Sequence, residues 1–224
     1  MIGFFDYTTL LTYLSLVSAT LGIACSLSGD GHPFIGTFFL LFCGLCDAFD
    51  GKVARTKSNR TEQEKNYGIQ IDSLSDVIAF GVLPGCIGVA LWRRSIVDNG
   101  GKYNEDYNIL VYTVIALYAL AALIRLAYFN VTEMERQQTE GGVRKTYTGL
   151  PVTSSALIFP SIMLIYYIVK PHDLTPLYLA VMLVTAFAFL AKFRIPKPGL
   201  RGILIMIGIG LIECGILLFL YLTR

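Results

Sequence analysis

The sequence predicts an all-α fold, a polytopic bundle of about seven transmembrane helices with its N-terminus in the cytoplasm, and three observations carry that prediction. The 224 residues are 54% hydrophobic and only 15% charged, with a mean hydropathy of +0.61, well beyond what one soluble core requires. Charge-free runs long enough to cross a bilayer recur along the chain. Basic residues divide unevenly between alternate connections. A water-soluble globular enzyme is thereby excluded, and the 14 Phe and 13 Tyr exclude a disordered chain. With 18 Lys and Arg against 16 Asp and Glu, no nucleic-acid partner is expected.

The first span, near 7–29, holds no charged residue, and no basic segment precedes it, so it is expected to stay as a helix and not to be cleaved as a signal peptide. The second and third, near 33–55 and 69–92, reach spanning length only by continuing through Asp47, Asp50, Asp72 and Asp76. Those acids are therefore carried into the membrane edge. Gly81 and Gly85 flank Pro84 in the third span, a spacing that predicts close helix packing and a bend. The fourth, fifth and sixth spans, near 107–130, 151–169 and 174–191, follow from further charge-free runs, and the seventh, near 201–222, contains Glu213. That acid is expected to pair with a polar group inside the bundle or at a homodimer contact. The five cysteines all fall inside spans, where they act as small apolar residues, and Cys43-x-x-Cys46 lacks any redox or zinc context. No repeat or long linker divides the chain, so 1–224 reads as one integral membrane domain.

Seven spans put the N-terminus on the same side as the segments 52–68, 125–150 and 192–201, which hold thirteen of the 18 Lys and Arg. The positive-inside rule assigns that side to the cytoplasm, and with it the four acids.

Asp47, Asp50 and Ala54 lie within about 60° of one another on a helix, and Gly68, Asp72 and Asp76 follow at intervals of one turn. Two carboxylate faces at one depth suit a hard divalent cation, Mg²⁺ or Mn²⁺. Gly51, Ala54 and Gly68 keep those faces narrow enough for a bulky anion, and Arg55 offers a fork of donors for phosphate. The alternative is that the acids are helix caps and partners for Lys52, Arg55 and Lys57, an expensive use of intramembrane charge.

The pattern Asp47-x-x-Asp50-Gly51-x-x-Ala54-Arg55, then Gly68-x-x-x-Asp72-x-x-x-Asp76, resembles the signature of the CDP-alcohol phosphotransferase family, with every lettered position filled. The spacer from Thr56 to Tyr67 is twelve residues, longer than relatives usually have, so the loop residue that touches nucleotide phosphate there cannot be aligned; Thr61 and Lys65 are candidates. Asp72 to Pro84, Arg125-Leu-Ala-Tyr-Phe-Asn130 and Tyr147-Thr-Gly-Leu-Pro151 are similar to the phosphatidylserine synthase branch, and Tyr128 departs from a basic residue usual in that branch.

The resemblance implies that Asp47, Asp50, Asp72 and Asp76 hold Mg²⁺ or Mn²⁺, that Asp47, Gly51, Ala54, Arg55 and Gly68 line the CDP site, and that Asp76 is the general base. It further implies CDP-diacylglycerol and serine as substrates, within the lipid bilayer of the cell membrane. Arg125 is the expected partner of the serine carboxylate, or else snorkels to anionic headgroups. Asn130 is a second serine candidate, or else a helix cap. A sister transferase using glycerol 3-phosphate or an inositol phosphate stays open, with Arg144, Lys145 and Lys192 available for an acceptor phosphate. More remote are an intramembrane prenyltransferase, whose acids lie on helices far apart in sequence, and a cation transporter, which has no need of Gly51, Ala54 and Arg55.

Overall fold

The computed structural model describes residues 3–98, 100, 105–139, 146–169, 173–197 and 199–223. Its helices are α1 (Leu10–Leu27), α2 (Pro33–Ala54), α3 (Glu62–Asp76), α4 (Leu83–Asp98), α5 (Glu105–Thr139), α6 (Ser155–Val169), α7 (Thr175–Leu190) and α8 (Leu200–Leu222). A π-helical turn, Val77–Val82, joins α3 to α4 without a break. Two three-residue strands, β1 (Thr146–Thr148) and β2 (Arg194–Pro196), pair antiparallel, with Tyr147 opposite Ile195.

Local chemistry explains where the helices start. Pro33 opens α2, where its missing N–H costs nothing. Thr61 and Glu64 form a reciprocal capping box at the head of α3. The third expected span therefore begins seven residues earlier, at Glu62 instead of 69, because the cap nucleates a polar first turn that hydropathy reads as loop.

Among the described residues five helical stretches are long and apolar enough to cross a membrane, including the continuous 37 residues Glu62–Asp98, whereas α6 and α7 are apolar but only 15 and 16 residues long. The expected seventh-span count thus rests on two helices shorter than the usual ~20 residues.

Side chains are distributed as in a membrane protein. Large apolar residues such as Phe187, Val184, Ile212 and Phe219 are exposed, while Asp76, Arg125 and Glu213 are buried. Between them lies an aromatic core in which Tyr118 meets Phe159 and Phe189 at ring distances of 5.6 Å, and Phe159 meets Tyr178 at 5.0 Å. Gly81 and Gly85 do permit close packing, against Ala122 and Ile115 of α5. Glu213 accepts a hydrogen bond from Ser161 of the neighbouring α6, so it pairs with a polar group of the same chain.

The connections sort to two ends. At one end Lys57 bridges Asp6 and Glu64 at 2.7 and 2.8 Å, and the β1–β2 ladder joins the segment before α6 to the segment before α8. At the other, Arg93 donates to the Leu27 carbonyl at 2.9 Å and Trp92 donates to Asn108.

Candidate active site

The acid cluster sits towards the first end, between the last two turns of α2 and the last turns of α3. Asp47, Asp50 and Asp72 each bring a carboxylate oxygen within 4.8 Å of the others. Asp76, one turn further along α3, is outside that group, is only 7% exposed, and interacts electrostatically with all three. At such spacing a pair of carboxylates repels by about 4 kcal/mol at an effective dielectric of about 20, and a cation removes that cost. The donor set, all hard oxygens and no sulfur or imidazole, fits Mg²⁺ or Mn²⁺.

The cap-and-partner alternative does not match the contacts. Lys57 is engaged by Asp6 and Glu64, and its ammonium holds the Asp6 carboxyl down at about 2, below its usual range. Lys52 lies over the Phe49 ring at 5.1 Å. Among the described residues no salt bridge joins Lys52, Arg55 or Lys57 to the four aspartates.

Two guanidiniums lie in glycine notches beside the acids. A Cβ at Gly51 would stand 3.4 Å from Arg55 Nη1, and one at Gly68 would stand 2.6 Å from Arg60 Nη2. Arg60 was not among the expected site residues. It donates to the Glu64 carbonyl at 3.0 Å, and its buried Nε has no protein partner among the described residues. Sequence reasoning passed over it because it falls in the spacer that cannot be aligned. Thr61 spends its hydroxyl on the cap of α3, and Lys65 pairs with Glu62 at 2.7 Å.

Of the four aspartates, Asp47 lines a cavity of about 700 Å³ between α2, α6 and α8. Asp47, Gly51, Lys52, Arg55 and Lys197 line it at the polar end; Phe42, Leu157, Met206 and Leu211 line its apolar length. Ala54 is half-buried on the last turn of α2.

The remaining candidates among the described residues do not line this cavity. Arg125 is buried, lies 5.6 Å from the Phe129 ring centre, and donates from Nε to the Leu150 carbonyl at 3.1 Å. Gly149 beside it has φ +76, and a Cβ there would come within 3.0 Å of the Ala191 and Phe189 carbonyls. Asn130 donates to Ser73 Oγ at 2.6 Å, next to Asp72. It is no helix cap, since α5 continues to Thr139. Lys192 is exposed; Arg144 and Lys145 lie outside the described residues.

A carboxylate cluster between α2 and α3, beside an apolar cavity in a bundle of membrane-length apolar helices, defines an integral membrane protein with an acidic cluster inside the helix bundle. Residues 6–212 match the family model described as CDP-alcohol phosphatidyltransferase, and the chain belongs to that family. It is 31% identical over 160 residues to CDP-diacylglycerol–serine O-phosphatidyltransferase of Saccharomyces cerevisiae, covering 68% of this chain and 51% of that protein. It is 32% identical over 160 residues to archaetidylserine synthase of Methanothermobacter thermautotrophicus, covering 71% and 59%. A CDP-diacylglycerol–serine O-phosphatidyltransferase of Helicobacter pylori is 30% identical over 142 residues, covering 63% and 51%. The chain thus spans a little over half the length of these curated relatives. No solved structure matches it.

Proposed function

We propose that this chain is a divalent-metal-dependent transferase that moves a phosphatidyl group from CDP-diacylglycerol to the hydroxyl of serine, giving phosphatidylserine and CMP. The observation that carries this is the continuity of one cavity from the Asp47 carboxylate and the Arg55 and Lys197 cations into an apolar slot. A nucleotide lipid has that same sequence of parts: a polyanionic head on a hydrocarbon body. All three relatives are named for serine, two with diacylglycerol and one with an archaetidyl lipid, which supports serine as acceptor.

Asp47, Asp50 and Asp72 would hold the ion, which when bound supplies positive charge to the pyrophosphate as CMP leaves. Gly51 and Gly68 allow the head close to the helix backbones, and Arg55 donates to phosphate oxygens. Asp76, outside the three-carboxylate group, would take the proton of the serine hydroxyl as that oxygen attacks the lipid-side phosphorus. The Arg125 guanidinium would bind the serine carboxylate, with Asn130 steadying α3 through Ser73.

The acceptor is tested by supplying purified protein with CDP-diacylglycerol and a panel of alcohols. CMP release with serine is expected; preference for glycerol 3-phosphate or an inositol phosphate would replace serine, and no release with any acceptor would end the transferase reading. The site is assigned to the cytoplasmic face by the charge asymmetry alone. Single cysteines at Ser58 and Asp98 should then label from opposite sides of sealed vesicles, Ser58 from the inside of the cell.

A further inference from the structure

The helix bearing Asp72 and Asp76 does not run on regularly. Directly after Asp76 it opens into the π turn Val77–Val82, where the Leu83 N–H reaches back to the Ile78 carbonyl. Pro84 follows and has no N–H, so the Phe80 carbonyl, four residues earlier, cannot take the helical bond that residue 84 would otherwise give. That carbonyl accepts the Tyr118 hydroxyl instead, at 2.8 Å. Tyr118 comes from α5 and is fully buried. Its oxygen is also 2.7 Å from Ser155 Oγ, which in turn lies 2.7 Å from the Val152 carbonyl. Tyr118 and Ser155 have one hydroxyl proton each. The Phe80 carbonyl keeps this side-chain donor only when Tyr118 donates to it and not to Ser155.

A π turn accommodates an extra residue, and each residue turns an α-helix by about 100°. Downstream, α4 is fixed in the core: Leu83, Ile87 and Ala90 are fully buried, and Tyr178 donates to the Pro84 carbonyl at 2.9 Å. With α4 fixed, the π turn decides which way the Asp72–Asp76 face of α3 points.

We propose that Tyr118 is a positioning residue: by occupying the Phe80 carbonyl, its hydroxyl holds the π turn that aims Asp72 and Asp76 at Asp47 and Asp50. The kinetic consequence rests on the transferase reading; the effect on the acid cluster does not.

Tyr118→Phe and Tyr178→Phe make a matched pair, since each deletes a buried hydroxyl bonded to a carbonyl of the same continuous helix. Their melting temperatures should fall by similar amounts. Tyr118→Phe should weaken Mn²⁺ binding, read by electron paramagnetic resonance on the detergent-purified protein, by about tenfold, and lower kcat for CMP release comparably with both KM values changed less than about twofold. Tyr178→Phe should leave Mn²⁺ affinity and kcat near the parent values. Equal losses in the two variants, or unaltered Mn²⁺ binding in Tyr118→Phe, would overturn the proposal. Ser155→Ala leaves Tyr118 only Phe80 to donate to and should keep both properties. A loss of about tenfold there would overturn it even if Tyr118→Phe did not fold. A parent protein that binds Mn²⁺ but releases no CMP would remove the transferase reading, while the Mn²⁺ comparison still decides the role of Tyr118.

Discussion

The 37-residue helical stretch Glu62–Asp98 contains two halves with opposite uses. In α3 only Ser75 and Asp76 are buried, and the residues that face α2 are acids and glycine. In α4 ten residues are buried, nearly all apolar, and they pack against α1, α2, α5 and α7. The first half carries like charges that oppose one another; the second supplies the packing that keeps them together. Repulsion among the acids is thus offset by packing beyond the π turn of the same helical stretch, and substitutions in the two halves should separate activity from stability.

The largest effect is expected in α3 and its α2 counterpart. Asp72→Asn and Asp47→Asn should each lower CMP release by about a thousandfold or more, as should excess EDTA on the parent protein. Removing one of several crowded carboxylates relieves repulsion, so the metal-free melting temperature should hold or rise. Full activity in either variant would erase the contrast between the halves.

Next in size is Arg125, which neither half contains. Arg125→Ala should raise the serine KM by about tenfold with little change in that for CDP-diacylglycerol, and lysine there should restore only part. An unchanged serine KM would leave Arg125 as a support for Leu150 alone.

In α4, Ile87→Ala should destabilise by about 2 kcal/mol through lost packing, seen as a lower melting temperature, while kcat at room temperature stays near the parent value. A large kcat loss without destabilisation would mean that α4 takes part in the chemistry directly.

The smallest effect concerns Lys57, which ties the head of α3 to Asp6. The Asp6 carboxyl titrates at about 2 in the folded protein against an ordinary 3.8. A depressed carboxyl stabilises above its unfolded value, and that contribution disappears as pH falls towards the folded value. Melting temperature should therefore decline between about pH 4 and about pH 2 in the parent, and decline less in Lys57→Met.

Much of this contrast was legible in the sequence. Aspartates at three- and four-residue intervals reveal a shared face wherever the chain is helical, so the meeting of Asp47, Asp50 and Asp72 follows from spacing plus one antiparallel contact. The π turn was not legible, because one inserted residue leaves no periodic trace; Gly81, Pro84 and Gly85 announced only a bend. The partnership of Asn130 with Ser73 and of Arg60 with Gly68 depends on long-range or unalignable placement. The extensions of α3 back to Glu62 and of α5 on to Thr139 were hidden because polar turns outside the bilayer carry no hydropathy signal.

Phe42, Met206 and Leu211 line the cavity and are large apolar residues left exposed, so the apolar slot is open to the surroundings of the bundle. A lipid donor would arrive by lateral diffusion within one leaflet, its chains never leaving oil. The quantity that governs saturation is then the mole fraction of donor in the bilayer or micelle, and its bulk molarity is irrelevant. Diluting a fixed amount of donor with inert detergent should slow the reaction as adding a competitor would, whereas serine, which comes from water, should obey ordinary concentration.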